Sequence, residues 1–439
     1  MKGAAALRRR IQQHAVRVCV LGQGYVGLSV AAAAATAGMR VDGVDTDTER
    51  TQALAAGQNV VAGVSDVAYE IAMDTGRLAF GTDVAVAGLA DVVLICVPTP
   101  VIEHRPDLSA VEAAARGVGR HLRPGTLVVV ESTTYPGTTE QVVKPLLEEG
   151  GGLRAGRDFL LGYSPERIDP GNDKYGLANT PRVVGGLTAQ ATACAAEFYG
   201  QFVEEVVPVS SCRAAELAKL HENTFRMVNI ALVNELAMLC AAQGIDTWEV
   251  IRAAASKPFG FMPFLPGPGV GGHCIPLDPQ YLAWQARRDT GRRFRLVELA
   301  EEINTQMPAY VVQRVTEAIN AAGRSVKGAQ ILALGVTYKP DVGDVRESAA
   351  IAVLELLYRR GARLSFHDPY VERIERDGMV LRRVPLTRRA IEAADCVLIL
   401  TPHDDYDLAS VASQASLVFD ARGAVPRAPG LVAGKVVTL

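Results

Sequence analysis

The apolar run Arg17-Val18-Cys19-Val20-Leu21 ends in Gly22-Gln23-Gly24-Tyr25-Val26-Gly27, and an Ala-rich stretch from Tyr25 to Ala37 follows at once. A strand, a glycine turn and a helix in that order specify a βα unit whose helix starts close to the strand end. Gly22 permits the tight turn, Gly24 lets the backbone approach a pyrophosphate, and Gly27 allows close helix packing. The helix N-terminus offers free N–H groups and a positive dipole end to phosphate. The next apolar run, VDGVD, ends on Asp45, where a carboxylate reaches the ribose of a dinucleotide. A carboxylate there repels a 2′-phosphate and favours NAD over NADP. Arg50 pulls the other way, because an arginine can accept such a phosphate.

The rhythm continues through DVVLICVP, TLVVVEST, DFLLGYSPE and PRVVGG. Such β-branched apolar runs read as strands covered on both faces, hence a parallel doubly wound sheet. From Cys212 to about Ala255 the pattern is helical, almost unbroken and free of proline; a Pro/Gly-rich loop spans 258–279, and helical spacing resumes from Gln280 to about Ala322. AQILALGVTYK, AAIAVLELLYRRG, RLSFHDPY, ADCVLILTP and LVFDARG then repeat the βα order. The expected fold class is α/β, two Rossmann-like doubly wound domains joined by a long central helix. The expected divisions are a loose solvated arm over 1–15, a dinucleotide domain over 16–205, a central helical domain with the glycine-rich loop over 206–322, and a second α/β domain over 323–439.

At 439 residues the chain exceeds one compact core, and a net charge of −3 gives no footprint for nucleic acid or an anionic membrane. Arg8-Arg9-Arg10 is followed by Gln12, Gln13, His14 and Arg17 rather than an apolar signal core, and no stretch approaches a bilayer span. The cytoplasm is the expected location. Seven cysteines, scattered and without metal-ligand spacing, give no metal site. Cys19, Cys96 and Cys396 lie inside apolar runs and read as inert core thiols. Cys274 differs, because it closes the run PGPGVGGHC, where a glycine-rich backbone can wrap a ligand. It is a candidate nucleophile, and Asp278 would face it if a helix began near Ile275. Adjacent side chains point apart, so His273 reads as loop structure.

GQGYVGLS, VPTP, ESTTYPGTT, YSPERIDPGN, AELAKLHENTFRMVNIALVNE, PGPGVGGHCIPLDP and GVTYKPDVGDVRES together resemble the UDP-glucose/GDP-mannose dehydrogenase family, in the family's order and across nearly the whole chain from Val16. The resemblance implies a four-electron oxidation of the C6 alcohol of a UDP-sugar, with two NAD and one water consumed. Cys274 would capture the aldehyde as a thiohemiacetal and later release a thioester to water. Lys219 would stabilise the oxyanion at C6, Asn223 would hold that oxygen or a water, and Asp278 would pair with Lys219 or act as a base. Glu166 matches the family's acid/base for thioester hydrolysis and Thr133 its water-binding threonine. Gly22, Gly24, Tyr25, Val26, Gly27, Asp45, Arg50, Thr99, Ser132 and Arg346 are implied at the cofactor. Glu166, Arg167, Lys219, Asn223, Phe264, Leu265, Gly271, Tyr338, Lys339 and Arg422 are implied at the substrate. The chain departs from some members in having Pro170 where they carry a second glutamate. It also has SKPFGF where they borrow an arginine from a neighbouring subunit, leaving Lys257 as a substitute.

The strings SPERIDPGN, NTPRVVGG and SKPFGFMPF look closest to the branch acting on UDP-N-acetylglucosamine or its galacto epimer. UDP-glucose and UDP-N-acetylmannosamine are the alternatives. A two-electron hydroxyacid-type dehydrogenase shares the frame and needs no cysteine; an inactive NAD-binding scaffold predicts a broken constellation, and this one is intact. The long helix has more apolar surface than one cleft needs, so a homodimer or higher homo-oligomer is expected.

Overall fold

A computed structural model describes residues 2–102, 105–169, 172, 174–272, 275–426 and 435–439. The chain divides into two compact units, one of residues 1–222 with 280–285, the other of 223–279 with 286–439.

Eight strands form the sheet of the first unit: β1 (Arg17–Leu21), β2 (Arg40–Val44), β3 (Leu78–Gly81), β4 (Val92–Ile95), β5 (Leu127–Val130), β6 (Leu160–Tyr163), β7 (Arg182–Gly186) and β8 (Val206–Val209). Their order is β8-β7-β6-β5-β4-β1-β2-β3. Alternate residues of each strand enter opposite cores: Val18, Val20, Leu94 and Val129 on one face, Cys19, Leu21, Val93 and Val128 on the other. Both faces being covered explains the unbroken apolar runs. The sheet is not wholly parallel as expected. β7 returns antiparallel to β6, through Gly162–Gly186 and Tyr163–Gly185. A parallel neighbour needs a crossover, usually a helix, and the described residues between β6 and β7 contain none.

The first residues are no loose arm. Helix α1 (Lys2–Gln12) buries Ala4, Leu7 and Ile11, an apolar stripe at helical spacing. The stripe joins the core that holds Cys194, Ala195 and Phe198, and Arg8 pairs with Glu197 at 2.9 Å. Helix α2 (Tyr25–Thr36) follows β1, and α3 (Ala189–Tyr199) follows β7.

Helix α4 (Cys212–Gln243) stops short of the expected end: Gly244 turns at φ +67°, and Asp246 caps a new helix, α5 (Thr247–Ala255), by accepting from the Trp248 and Glu249 amides. At 32 residues α4 is long and apolar enough to cross a membrane by composition alone, contrary to the expectation that no stretch reaches that length. Its buried polar residues Glu216, Asn223 and Asn234 bond to other parts of the protein. The later helical stretch also divides, into α6 (Asp278–Thr290) and α7 (Arg295–Ala321), with Gly291 left-handed between them.

Five parallel strands form the second sheet: β9 (Gln330–Leu334), β10 (Arg363–His367), β11 (Cys396–Ile399), β12 (Val418–Asp420) and β13 (Val436–Thr438), in the order β10-β9-β11-β12-β13. Helix α8 (Ala349–Arg359) follows β9 after a long loop. In both sheets the order reverses beside the first strand, at β1/β4 and at β9/β11. Ligands of such sheets bind at the strands' carboxyl ends there.

Candidate active site

Gly22 closes β1 at φ +88°, and a Cβ there would lie 2.5 Å from the Cys96 carbonyl oxygen across the switch point. A Cβ on Gly27 would lie 1.8 Å from the Gly22 oxygen, whereas one on Gly24 would meet nothing within 4 Å. The open side of the turn is therefore at Gly24, where α2 begins with Tyr25 and Val26 and no side chain caps it. Asp45 accepts from the Gln23 amide at 2.7 Å and the Asp47 amide at 3.0 Å. Arg50 is held by Asp45 at 3.2 Å and Asp47 at 3.4 Å, so its charge is matched by carboxylates. An uncapped helix end and a fixed carboxylate fit a dinucleotide with an unmodified ribose. Ser132 donates to the Val97 carbonyl at 2.7 Å and so braces the segment leading to Thr99, whose own carbonyl accepts from the Tyr281 hydroxyl.

Glu166 belongs to an irregular stretch after β6, yet it is fixed from two sides. Its Oε1 accepts from the Arg167 and Ile168 amides, each at 2.6 Å, and its Oε2 meets Arg182 at 2.7 Å. Arg182 is buried in β7, where it also pairs with Glu131 and donates to Ser164 Oγ at 2.8 Å. Tyr199 donates to Glu131 at 2.5 Å, and its ring lies 4.6 Å from the guanidinium. Arg167 pairs with Glu222 at 2.7 Å. The loop carrying Thr133 is anchored by Glu216, which accepts from the Gly137 amide at 2.5 Å, the Thr139 amide at 2.9 Å and the Thr139 hydroxyl at 2.7 Å. Burial pushes Glu216 up to about 7 against the pull of those donors. None of Arg182, Glu131, Tyr199 or Glu216 was singled out from the sequence. The signal for Arg182 was a cation inside an otherwise apolar strand.

Lys219 and Asn223 stand one turn apart on α4, and both are buried. Asn223 Nδ2 donates to Asp278 Oδ2 at 2.5 Å. Helix α6 starts at Asp278 itself, with Leu277 as its N-cap, so the expected helical register from Ile275 does not form. Cys274 and His273 lie outside the described residues, as does Pro170. The far end of the glycine-rich loop is held by a residue the sequence did not flag. Asn234 accepts from the Gly267 amide at 3.0 Å and donates to Asn304 at 3.0 Å. Asn223 and Asn234 are eleven residues apart, about 16 Å along a helix, so α4 is a ruler for the loop. Phe264 stacks edgewise on Phe225 at 5.7 Å, while Leu265 is exposed. Gly271 admits no side chain, since a Cβ would lie 2.6 Å from the Glu347 oxygen and 2.8 Å from the Tyr338 Cβ.

Gly269, Gly271, Tyr338, Ala349, Thr401 and Arg422 line a recess at the ends of β9 and β11. No side chain caps α8, because Ser348 donates to the Val336 carbonyl at 2.7 Å instead. An uncapped helix end beside an arginine suits a diphosphate. Lys339 sits on the same loop as Tyr338, whose backbone bonds to Asp344 at 3.0 Å. Arg346 is exposed and bidentate to Asp344. Burial pushes Cys19 and Cys396 up to about 12, and burial with the Glu131 carboxylate pushes Cys96 up as well, which leaves these thiols inert.

Three family models match in sequence order: the NAD binding domain of the UDP-glucose/GDP-mannose dehydrogenase family over 16–203, its central domain over 213–306 and its UDP binding domain over 332–427. The UDP-N-acetyl-D-mannosamine dehydrogenase of Pyrococcus horikoshii is 36% identical over 392 residues, 89% of this chain and 90% of that one. A solved structure of the UDP-D-ManNAc dehydrogenase from the same organism superposes with a TM-score of 0.85 at 32% identity, covering 96% of this chain and 98% of that one. The NDP-N-acetyl-D-galactosaminuronic acid dehydrogenase of Methanosarcina mazei Go1 gives 0.81 at 28% identity, covering 99% and 97%.

Proposed function

The chain belongs to the UDP-glucose/GDP-mannose dehydrogenase family and is an NAD-dependent UDP-sugar dehydrogenase, and we propose that it oxidises C6 of a UDP-2-acetamido-2-deoxyhexose to the carboxylate through Cys274. The observation that carries this reading is the grip of α4 on both ends of the glycine-rich loop, Asn234 on Gly267 and Asn223 on Asp278. A covalent intermediate that outlasts one cofactor exchange needs a loop held still.

NAD, when bound, supplies the hydride acceptor for each of the two oxidations. The remaining work falls to the chain. Lys219 stabilises negative charge on the C6 oxygen and Asn223 holds that oxygen. Asp278 takes the hydroxyl proton or pairs with Lys219. The Cys274 sulfur bonds to the aldehyde carbon to give a thiohemiacetal, whose oxidation leaves a thioester. Thr133 orients a water, Glu166 removes its proton, and the carbon–sulfur bond breaks. Alcohol, water and two NAD thus yield carboxylate, two NADH and three protons. Tyr338, Lys339 and Arg422 hold the UDP.

The acetamido sugar is supported by two kinds of likeness. The motif strings favour UDP-N-acetylglucosamine, whereas the relatives are named for UDP-N-acetylmannosamine and an N-acetylgalactosaminuronic acid. These sugars are epimers at C2 or C4, and all keep the acetamide that glucose lacks. We place the enzyme in the cytoplasm, where UDP-sugars and NAD are made. We also propose a homodimer through α4, on which Phe225, Leu232 and Leu239 are exposed at seven-residue spacing; light scattering at half the expected mass excludes it. The deciding experiment offers the purified protein each of the four UDP-sugars with NAD. Two NADH per acetamido-uronate supports the reading. One NADH per sugar transfers it to the hydroxyacid type, and a preference for UDP-glucose removes the acetamide.

A further inference from the structure

A buried ion cluster at the strand ends of a sheet is an odd way to stabilise a fold. Replacing such a cluster by apolar side chains is often neutral or favourable, while removing one member leaves an uncompensated charge. β7 nevertheless carries Arg182 in the buried run Arg182-Val183-Val184-Gly185-Gly186. Its two carboxylate partners differ in one respect. The Glu131 side chain is fully enclosed, whereas that of Glu166 keeps 9% of its surface exposed. One end of the cluster is sealed and the other opens at the residue assigned to water activation.

We infer that Arg182, braced from behind by Glu131, is the positioning residue that holds and tunes Glu166 for hydrolysis of the thioester. This rests on the role given to Glu166 above. Three donors engage that carboxylate, two of them the amides of Arg167 and Ile168 and the third Arg182 Nη1. A glutamate on an irregular segment would otherwise sweep several rotamers, and a proton acceptor must stay within hydrogen-bond reach of one water. Arg182 is itself immobilised by Ser164, Glu131 and the Tyr199 ring. Counted as ions, Arg182, Glu131 and Glu166 sum to a single negative charge. Burial pushes Glu131 toward the protonated form, with the Arg182 charge opposing. Arg182 and the Tyr199 hydroxyl favour the ionised form, in which Glu131 shares the charge of Arg182 that a glutamine in its place would leave wholly to Glu166. The other titratable groups at the cluster are Cys96 beside Glu131 and Tyr199 on α3. Arg167 lies next to Glu166 but pairs with Glu222.

The test compares wild type, E166Q, R182Q, R182K and E131Q as full-length proteins, with NAD and the UDP-sugar that is turned over best. Rapid quenching and intact mass measure the fraction of protein carrying the acyl group on Cys274, and steady-state rates are taken across pH. E166Q and R182Q are expected to slow turnover about 100-fold and to accumulate the acyl-protein; R182K restores part of the rate. Removing a cation beside a carboxylate makes it keep its proton to higher pH, and exposing it to a fuller cation does the reverse. The acid limb of the rate should therefore move up by about one pH unit in R182Q and down by a similar amount in E131Q. A merely structural cluster has no reason to shift the limb in opposite directions. Shifts of the same sign, or an R182Q protein with wild-type acyl occupancy, overturn the inference while E166Q still accumulates adduct. Failure of E166Q to accumulate adduct overturns the inference and the assigned role of Glu166 together. If R182Q does not fold, the isosteric E131Q carries the test, and an unmoved limb in that variant overturns the inference.

Discussion

The two sheets end their first strands with the same device and then diverge. After β1, the Gly22 amide donates to the Val44 carbonyl at 2.7 Å, and after β9 the Gly335 amide donates to the His367 carbonyl at 2.9 Å. The next amide donates to an aspartate in each case, Gln23 to Asp45 at 2.7 Å and Val336 to Asp368 at 2.8 Å. The same aspartates take a second amide two residues on, Asp47 at 3.0 Å and Tyr370 at 2.9 Å. What differs is the cover. Asp45 keeps 10% of its side chain exposed beside a surface arginine, while Asp368 is sealed under His403, whose Nε2 lies 3.0 Å away. The Asp341 amide donates to the other ring nitrogen at 3.0 Å, which makes Nε2 the donor to Asp368 and ties down the loop that carries Tyr338 and Lys339. An acid at this corner is thus a scaffold part in both sheets, and only Asp45 keeps an exposed edge.

The glycines test that equivalence most severely. Gly335 has φ +79° and a Cβ there would sit 2.0 Å from the Thr401 oxygen; at Gly22 the matching distance is 2.5 Å from the Cys96 oxygen. Strain plus backbone overlap should cost more than about 3 kcal/mol in Gly335→Ala and somewhat less in Gly22→Ala. Gly335→Ala should abolish UDP binding while NAD binding persists, and Gly22→Ala should do the converse, both measured by calorimetry. Parallel loss of both ligands in either variant would mean that the corners do not belong to separate sites.

Acidity separates the halves in a second way. In the first, burial lifts Glu216 to about 7, so its contribution is complete at low pH and is lost as pH rises through that value, up to about 3 kcal/mol. In the second, burial pushes Asp368 upward, but the His403, Val336 and Tyr370 donors outweigh it and hold it below the usual carboxylate range. Its contribution is present at neutral pH and lost only as pH falls below about 4. Hydrogen exchange, corrected for intrinsic rate, should show segment 131–139 loosening above neutrality and segment 336–341 loosening in acid. His403→Ala, which leaves Asp368 short of a donor, should weaken UDP binding by about 2 kcal/mol without changing NAD affinity.

Only one of the twin corners was legible in the sequence. Gly22-Gln23-Gly24-Tyr25-Val26-Gly27 is readable because helix α2 starts three residues after the strand glycine, which fixes the spacing. Thirteen residues separate Gly335 from α8, and no spacing rule survives an insertion of that length. The strands and the two-sheet plan were readable from apolar runs buried on both faces. The reversal at β7 was not, because a run such as RVVGG carries no direction. Glu216 and Asn234 share one helix with many other polar residues, and helical spacing alone does not say which of them turns inward. Arg182 was masked by the apolar strand around it, and α1 by the three arginines that crowd its short stripe. A catalytic motif is legible where chain-local geometry sets it; its supporting cluster comes from elements far apart in sequence.

The smallest expected effect concerns cofactor choice, and it sharpens the comparison where the cover is thinnest. Arg50 leaves 37% of its side chain exposed and pairs with Asp45 and Asp47. Exposed pairs of this kind contribute less than about 1 kcal/mol. If Asp45 alone reads the ribose, Arg50→Ala should change NAD affinity by less than about fivefold and leave NADP rejected, because the carboxylate that repels the 2′-phosphate is still fixed by the Gln23 and Asp47 amides. Asp45→Ala should instead weaken NAD and lessen the discrimination, with Arg50 then released to meet a phosphate. Titrating both variants with NAD and NADP decides the matter. A large loss of NAD affinity in Arg50→Ala would make the arginine the thin equivalent of His403, a cover that shapes the acid rather than a bystander beside it.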